Sequence, residues 1–465
     1  MSVPNLQEIR KPQIRDQIQY IVSEFQQEGA AEKVGELGSR NAGRVDIGVK
    51  IADGGMQFMF AEGQILVREH YLEQVHEILG RPKRDLKETA DTEQGHARVE
   101  PLIAGVVVLH LAARQDEPHF TVLEALDRID RVLGPGYATP NHVLTVTGDA
   151  GPCPATEPEI VYDGMEPYPS VCAGDAGAGI SVYVADTGLL WYPGDQPANP
   201  QPHDIVTNEG TVHPWLKGVR GTLDKVEDLT GGNVIGPYEA HGTFVAGVAR
   251  CMAPQAEVFV ANIFSVAGSA LETDFVRKLD AALGLGVDIF NLSIVAPTRN
   301  DVPLQAFRAW LETVVPQYKG VVCVVAAGNS GSRLPEWPAA FPGTVSVGAL
   351  AADWHSRADF SNFGGWVDVY APGRGLINAY ATGTYTCRVD PYVGQQRKFY
   401  GMARWSGTSF STPVVTGLIA ARMSRTGENG RQAADALLAQ ARTQAIPGVG
   451  AVLLPPRSRE ERRHD

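Results

Sequence analysis

The sequence is short of several things that would fix a class at once. Only five of its 465 residues are cysteine: Cys153, Cys172, Cys251, Cys323 and Cys387. They are scattered, odd in number and without CxxC spacing, which argues against a disulfide framework or a zinc ribbon and reads as reduced thiols. A lone Cys153–Cys172 bridge is the one pairing left open. No run of about 18 apolar residues occurs, so no membrane span is expected. Residues 1–15 are polar and charged, with no basic start followed by an apolar stretch. No secretory leader is expected, and the default expectation is a cytoplasmic protein. A basic excess is missing too: the formal net charge of −13 argues against nucleic acid as the main partner.

What is present is an ordinary globular composition, 44% hydrophobic and 20% charged, in a chain long enough for one large domain and a smaller one. After Pro12, the helical spacing of Ile14, Ile18, Ile21, Val22 and Phe25 predicts an amphipathic helix. Few basic residues accompany it, so its stripe is expected to pack against protein rather than lie on a membrane. Strands at 44–52 and 56–60 flank Asp53-Gly54-Gly55, a hairpin signal, and complete an N-terminal extension, 1–62. Residues 63–147 then alternate strand, helix, strand, helix, strand (64–67, 69–79, 102–111, 121–133, 138–146). That order suits a small α+β domain of the ferredoxin-like kind, with 81–96 an exposed polar loop. The Gly- and Pro-rich segment 148–178 reads as a linker.

From 179 to 450 the pattern changes. Continuous β-branched strands at 180–185, 257–264, 287–295, 321–327, 344–350 and 367–370 alternate with helices at 241–253, 273–285 and 302–318. This predicts an α/β fold, a doubly wound, mostly parallel sheet with helices on both faces. Ligands of such sheets bind beyond the carboxyl ends of the strands. Residues 191–239 form a long polar insertion, and 451–465 a charged tail.

Four polar residues fall where chemistry would need them. Asp186 ends the first strand of this domain, His241 opens a helix, Asn329 follows a buried strand, and Ser409 opens the last long helix. A helix start offers unpaired N–H groups that favour developing negative charge, with Pro413 tolerated in the first turn. Singly, each residue has a duller reading as a turn residue or a cap. Together they supply a nucleophile, a base, an acid that orients the base, and an oxyanion donor, which are the requirements of acyl transfer.

The segments Asp186-Thr187-Gly188, His241-Gly242-Thr243-Phe244-Val245-Ala246-Gly247, Ala327-Gly328-Asn329 and Gly407-Thr408-Ser409-Phe410-Ser411-Thr412-Pro413 resemble the signature segments of subtilisin-like serine peptidases. Their order, Asp then His then Ser, is that family's order. Asn291-Leu292-Ser293, Trp337-Pro338-Ala339, Phe360-Ser361-Asn362-Phe363-Gly364 and Ala371-Pro372-Gly373 match as well, so that the resemblance covers 180–448. A sedolisin-type site would carry Glu for His241 and Asp for Asn329, so the subtilisin branch is preferred. The resemblance implies a serine endopeptidase that needs no cofactor and takes a polypeptide substrate. Ser409 would be its nucleophile, His241 the base, Asp186 the orienting acid, and Asn329 with the Ser409 N–H the oxyanion hole. Substrate would run along Ser293, Ile294, Val295 and Gly328.

Two departures from the family pattern stand out. Phe244 occupies a place where His is usual. Ile294-Val295-Ala296 replaces a common Gly pair, which predicts a narrowed pocket favouring small or slim side chains before the cut bond. Residues 63–147 resemble a subtilisin propeptide, notably in Thr139-Pro140-Asn141-His142-Val143. This implies a folding chaperone and intramolecular inhibitor whose last strand lies in the cleft; an unrelated contact domain is the alternative. The family often binds calcium, but Asp195, Asp204, Asp224, Glu227 and Asp228 show no ligand spacing and are read as solvated charges. A peptide ligase or cyclase, and a silent peptide-binding scaffold, are the rival functions for the same fold.

Overall fold

The computed structural model describes residues 6–9, 11–26, 45–80, 99–111, 119–146, 155–162, 166–172, 174–190, 205–209, 211–224, 234–264 and 267–456. The expectations for loop 81–96, Cys153, Asp195, Asp204, Glu227, Asp228, residues 457–465 and parts of the linker and insertion fall outside them. Cys172, Cys251, Cys323 and Cys387 are free thiols.

The N-terminal half is built from α1 (Pro12–Phe25), β1 (Ile47–Ala52), β2 (Gly55–Arg68), α2 (Leu72–Ile78), β3 (Val99–Ile103), β4 (Val106–His110), α3 (Val122–Leu133) and β5 (Ala138–Thr145). Helix α3 starts where the sequence caps it: Glu124 N–H donates to the Thr121 hydroxyl while the Glu124 carboxylate accepts from the Thr121 N–H. The sheet order β5-β2-β4-β3 is that of a ferredoxin-like βαββαβ unit, with β1 paired to the start of β2. Two details differ from expectation. Residues 102–111 are not one strand but part of the hairpin β3–β4, because Ala104 and Gly105 adopt left-handed φ values of 47° and 71° and turn the chain. Strand β2 runs unbroken across residue 62, so the extension and the following domain share a strand.

The C-terminal half places β6 (Ser181–Asp186), α4 (His241–Met252), β7 (Glu257–Asn262), β8 (Ser269–Leu271), α5 (Glu272–Leu283), β9 (Ile289–Leu292), α6 (Gln305–Ala309), β10 (Val322–Ala326), β11 (Thr344–Leu350) and β12 (Val369–Pro372) in chain order. An eight-stranded sheet runs β12-β11-β10-β9-β6-β7 and then through Arg220–Thr222 and Ile205–Thr207. All its pairs are parallel except the last. Side-chain alternation splits the core in two. Val182, Val184, Val258, Val260 and Val324 join the cluster with α4 and the last long helix. Tyr183, Ala185, Phe290, Leu292 and Val325 join the cluster with α5 and α6. The second cluster also takes in Leu66, Val108, Leu144 and Val146 of the N-terminal half, so one apolar core spans both halves.

Strands β13 (Leu376–Thr386) and β14 (Gln396–Trp405) form a long hairpin that sequence patterning does not announce, since its buried face is interrupted by Asn378, Gly383 and Gly401. The chain ends in α7 (Thr408–Thr426) and α8 (Gly430–Thr443). Helix α7 is buried on almost every side, as its run of small and apolar residues requires. Pro413 is not in its first turn as expected; it is the sixth helical residue and would leave the Ser409 carbonyl without its usual N–H donor. Ser293 resolves this: its hydroxyl donates to that carbonyl at 3.1 Å.

Candidate active site

The carboxyl ends of β6 and β10 and the start of α7 bring the four chemical residues into one region. Asp186 is the last residue of β6, and His241 the first of α4. His241 Nδ1 and Asp186 Oδ1 are 2.7 Å apart, and both side chains are fully buried. Asp186 Oδ1 also accepts from the Thr187 N–H at 2.8 Å. The imidazole therefore has one nitrogen fixed by a carboxylate, which sets its tautomer and orientation. Its other nitrogen, Nε2, is buried and has no hydrogen-bond partner.

Several groups hold this pair from behind. A β-carbon on Gly242 would come within 2.5 Å of the Gly188 carbonyl, so glycine is what lets α4 start this close to the end of β6. Thr187 Oγ1 accepts from the Gly242 N–H at 3.1 Å and donates to Asp224 at 3.2 Å, and Asp224 also accepts from the Ala240 N–H at 2.8 Å. Asp224 is thus no solvated charge of the insertion: it is 2% exposed and ties down the residue before His241. Burial, and then the charge of nearby Glu239, push its carboxyl well above the usual carboxylate range. Phe244 fills the place where His was noted as usual. It packs 4.5 Å from Phe410, and the ring of Phe410 in turn lies 5.2 Å from that of His241, with Trp405 set edge-on at 5.6 Å from the same imidazole.

The opposite side belongs to α7 and the loop after β10. Ser409 is 1% exposed, at the second position of α7 beside Phe410, and its hydroxyl makes no hydrogen bond to His241 Nε2 in this arrangement. Asn329 Oδ1 accepts from the Thr408 N–H at 2.8 Å and from the Thr408 hydroxyl at 3.0 Å. Anchoring the oxygen leaves the amide's two N–H groups for another acceptor. Gly328, with φ of 100°, turns the chain into this loop, and its N–H donates to Thr408 Oγ1 at 3.1 Å. Asn362, within a segment matched only as a motif, clamps the loop: it donates to the Ala327 carbonyl and accepts from the Ser330 and Ser332 N–H groups.

Ser293 spends its hydroxyl on α7, and Ile294 and Ala296 turn into the core beside α5. Of Ile294, Val295 and Ala296, expected together to narrow a pocket, Ile294 and Ala296 lie in the core, as strand alternation sets every second residue on one side. Val295 exchanges two backbone hydrogen bonds of 2.9 Å with Thr145, while Ser269, Ala270 and Leu271 pair with Thr145, Leu144 and Val143. The end of β5 is thus laid as a third strand between β8 and the segment after β9. Polar contacts seat it. Asn141 bonds Thr273, Thr139 bonds Gln305, and the Arg299 N–H donates to His142 Nε2. Arg299 also meets Asp127 and Asp130, at 2.6 and 2.5 Å. Helix α1 packs on the far side of the Ala267–Leu271 region, with Gln17 donating to the Ala267 carbonyl and Glu24 accepting the Ala267 N–H. Among the described residues no group of three or more His, Cys, Asp or Glu is placed to hold a metal ion.

The Subtilase family model matches residues 177–451. M-protease of Shouchella clausii (strain KSM-K16) is 28% identical over 256 residues, which are 53% of this chain and 54% of that protein. The match thus spans about half the length of that relative. Thermitase of Thermoactinomyces vulgaris is 31% identical over 272 residues, 55% of this chain and 80% of thermitase. Among solved structures, fervidolysin from Fervidobacterium pennivorans aligns with a TM-score of 0.51 at 19% identity, covering 88% of this chain and 61% of that one, which is a likeness of fold.

Proposed function

Since this chain belongs to the subtilase family, we propose that it is a serine endopeptidase restrained by its own N-terminal domain. The observation that carries the reading is the buried His241–Asp186 pair, with Nε2 unpartnered and the ring 5.2 Å from that of Phe410, the residue after Ser409. In this mechanism the Ser409 hydroxyl swings onto His241 Nε2, which takes its proton as Oγ attacks the scissile carbonyl. Asp186 stabilises the imidazolium. The carbonyl electrons move onto the oxygen, where the Asn329 amide and the Ser409 N–H receive the charge. Collapse expels the amine, protonated by His241, and leaves an acyl-Ser409 ester. Water, deprotonated by His241, then releases the acid. No cofactor enters any step.

The seating of β5 against β8 and Val295 supports the restraint, since a substrate strand would need the same backbone partners. A fluorophosphonate probe and a peptide library test the reading together. Wild-type chain should be labelled at Ser409 and should cleave peptides, and Ser409→Ala should do neither. Labelling that persists in Ser409→Ala would sink the assignment. A competing amine in the same assay separates hydrolysis from ligation: aminolysis products dominating over acids would favour the ligase alternative.

A further inference from the structure

The strand laid in the cleft shows where a side chain beside the cut bond must go. Thr145 is bridged to Val295, so in antiparallel register a chain two residues further on stands opposite Ser293, whose hydroxyl rests on the Ser409 carbonyl. Strands β9 and β10 are parallel neighbours, so segment 293–296 and loop 327–330 leave the sheet side by side there. Two contacts tie both segments to residues 336 and 337. The Trp337 carbonyl accepts from the Ala296 N–H at 2.7 Å, tying it to the first segment. Its neighbour Glu336 reaches the second. Oε1 accepts from the Ser330 hydroxyl at 3.0 Å, and Oε2 lies so near Gly328 that a β-carbon there would be 2.3 Å from it. Gly328 and Ser330 flank Asn329, so a half-buried carboxylate touches both neighbours of the residue that would bind the oxyanion.

We propose that Glu336 is a specificity-determining residue that selects a cationic side chain, Lys or Arg, immediately before the cut bond; this deepens the endopeptidase reading and rests on it. A half-buried carboxylate held beside these segments pairs best with a charged donor, and a long unbranched stem lets that donor reach it. The inference replaces the expectation of small side chains, because Ile294 and Ala296 lie in the core.

Peptidyl diphenyl phosphonates that differ only in Lys, Arg, norleucine or Gln at the reacting end test this on the full chain carrying Thr145→Pro, which removes the N–H that Thr145 gives to Val295. The rate of Ser409 modification should be at least about tenfold higher for Lys or Arg than for norleucine. Glu336→Gln should collapse that ratio, and Glu336→Asp should retain most of it. Equal rates across the series, or a ratio unchanged by Glu336→Gln, would overturn the assignment. A chain that reacts with a plain fluorophosphonate but shows no cationic preference leaves the endopeptidase reading standing and removes Glu336 from it. A chain that reacts with neither reagent overturns both.

Discussion

The two halves of the molecule bury polar side chains to different ends. In the C-terminal half they serve one another: Asp186, His241, Thr187 and Asp224 form a chain of hydrogen bonds within a few turns of sheet and helix, and Asn329, Thr408, Gly328 and Asn362 form a second. In the N-terminal half Thr139, Asn141, His142 and Gln17 bond outward, to Gln305, Thr273, Arg299 and Ala267. His142 also meets Glu272 across the boundary at 3.7 Å, with both side chains fully buried. The networks around His241 and Asn329 thus lie within the C-terminal half, whereas the N-terminal half is matched to the surface it covers. Unpaired buried polar groups are costly, so each of these outward bonds favours the closed arrangement.

Perturbing either half should sharpen or break this contrast. The largest effect is expected from Ser409→Ala, which should abolish probe labelling and leave no measurable peptide turnover while the fold, followed by circular dichroism, persists. Asn329→Ala should lower kcat by about 10²–10³-fold with little change in KM, a size taken from the equivalent donor in subtilisin rather than from this chain. A proportionate rise in KM would instead give Asn329 a role in binding. Thr145→Pro removes the N–H given to Val295 and should raise activity of the full chain on a short peptide by at least about tenfold, since one charge-neutral bond and its strand geometry are lost. No gain would mean that the outward-facing half does not restrain the site.

Smaller effects should distinguish packing from charge. A β-carbon at Gly417 would stand 2.5 Å from Met252 Cβ where α7 crosses α4, so Gly417→Ala should cost about 1–3 kcal/mol in chemical denaturation. The smallest change concerns Asp224. Its raised pKa means the folded state keeps a proton that the unfolded chain releases. Its contribution is intact below the ordinary aspartate range, and stability falls as pH rises from there through the elevated folded value. Asp224→Asn keeps an acceptor for Ala240 and Thr187 and should flatten that slope, by at most about 1.4 kcal/mol per pH unit, the limit for one proton. Melting curves across the acid range would show the two slopes converging or failing to.

Not every element was equally legible. Strands of the parallel sheet announce themselves because they are buried on both faces and read as continuous β-branched runs, as in Val182-Tyr183-Val184 and Val322-Cys323-Val324-Val325. The hairpin β13–β14 does not, since half of its residues face outward or are interrupted by glycine. Asp224 looked like one more acid in a polar insertion, because nothing in its neighbours along the chain reveals that Ala240 and Thr187 will fold onto it.

The sequence by itself determined the class of sheet, the capped and buried helices, and which side chains could serve acyl transfer, because these follow from local periodicity and from residue chemistry. Only the tertiary structure decided that Ile294 faces the core, that Ser293 compensates Pro413, that Glu336 meets Ser330 beside Asn329, and that β5 lies between β8 and Val295. Those outcomes depend on which face of a strand meets which neighbour, and one residue of register reverses every such choice.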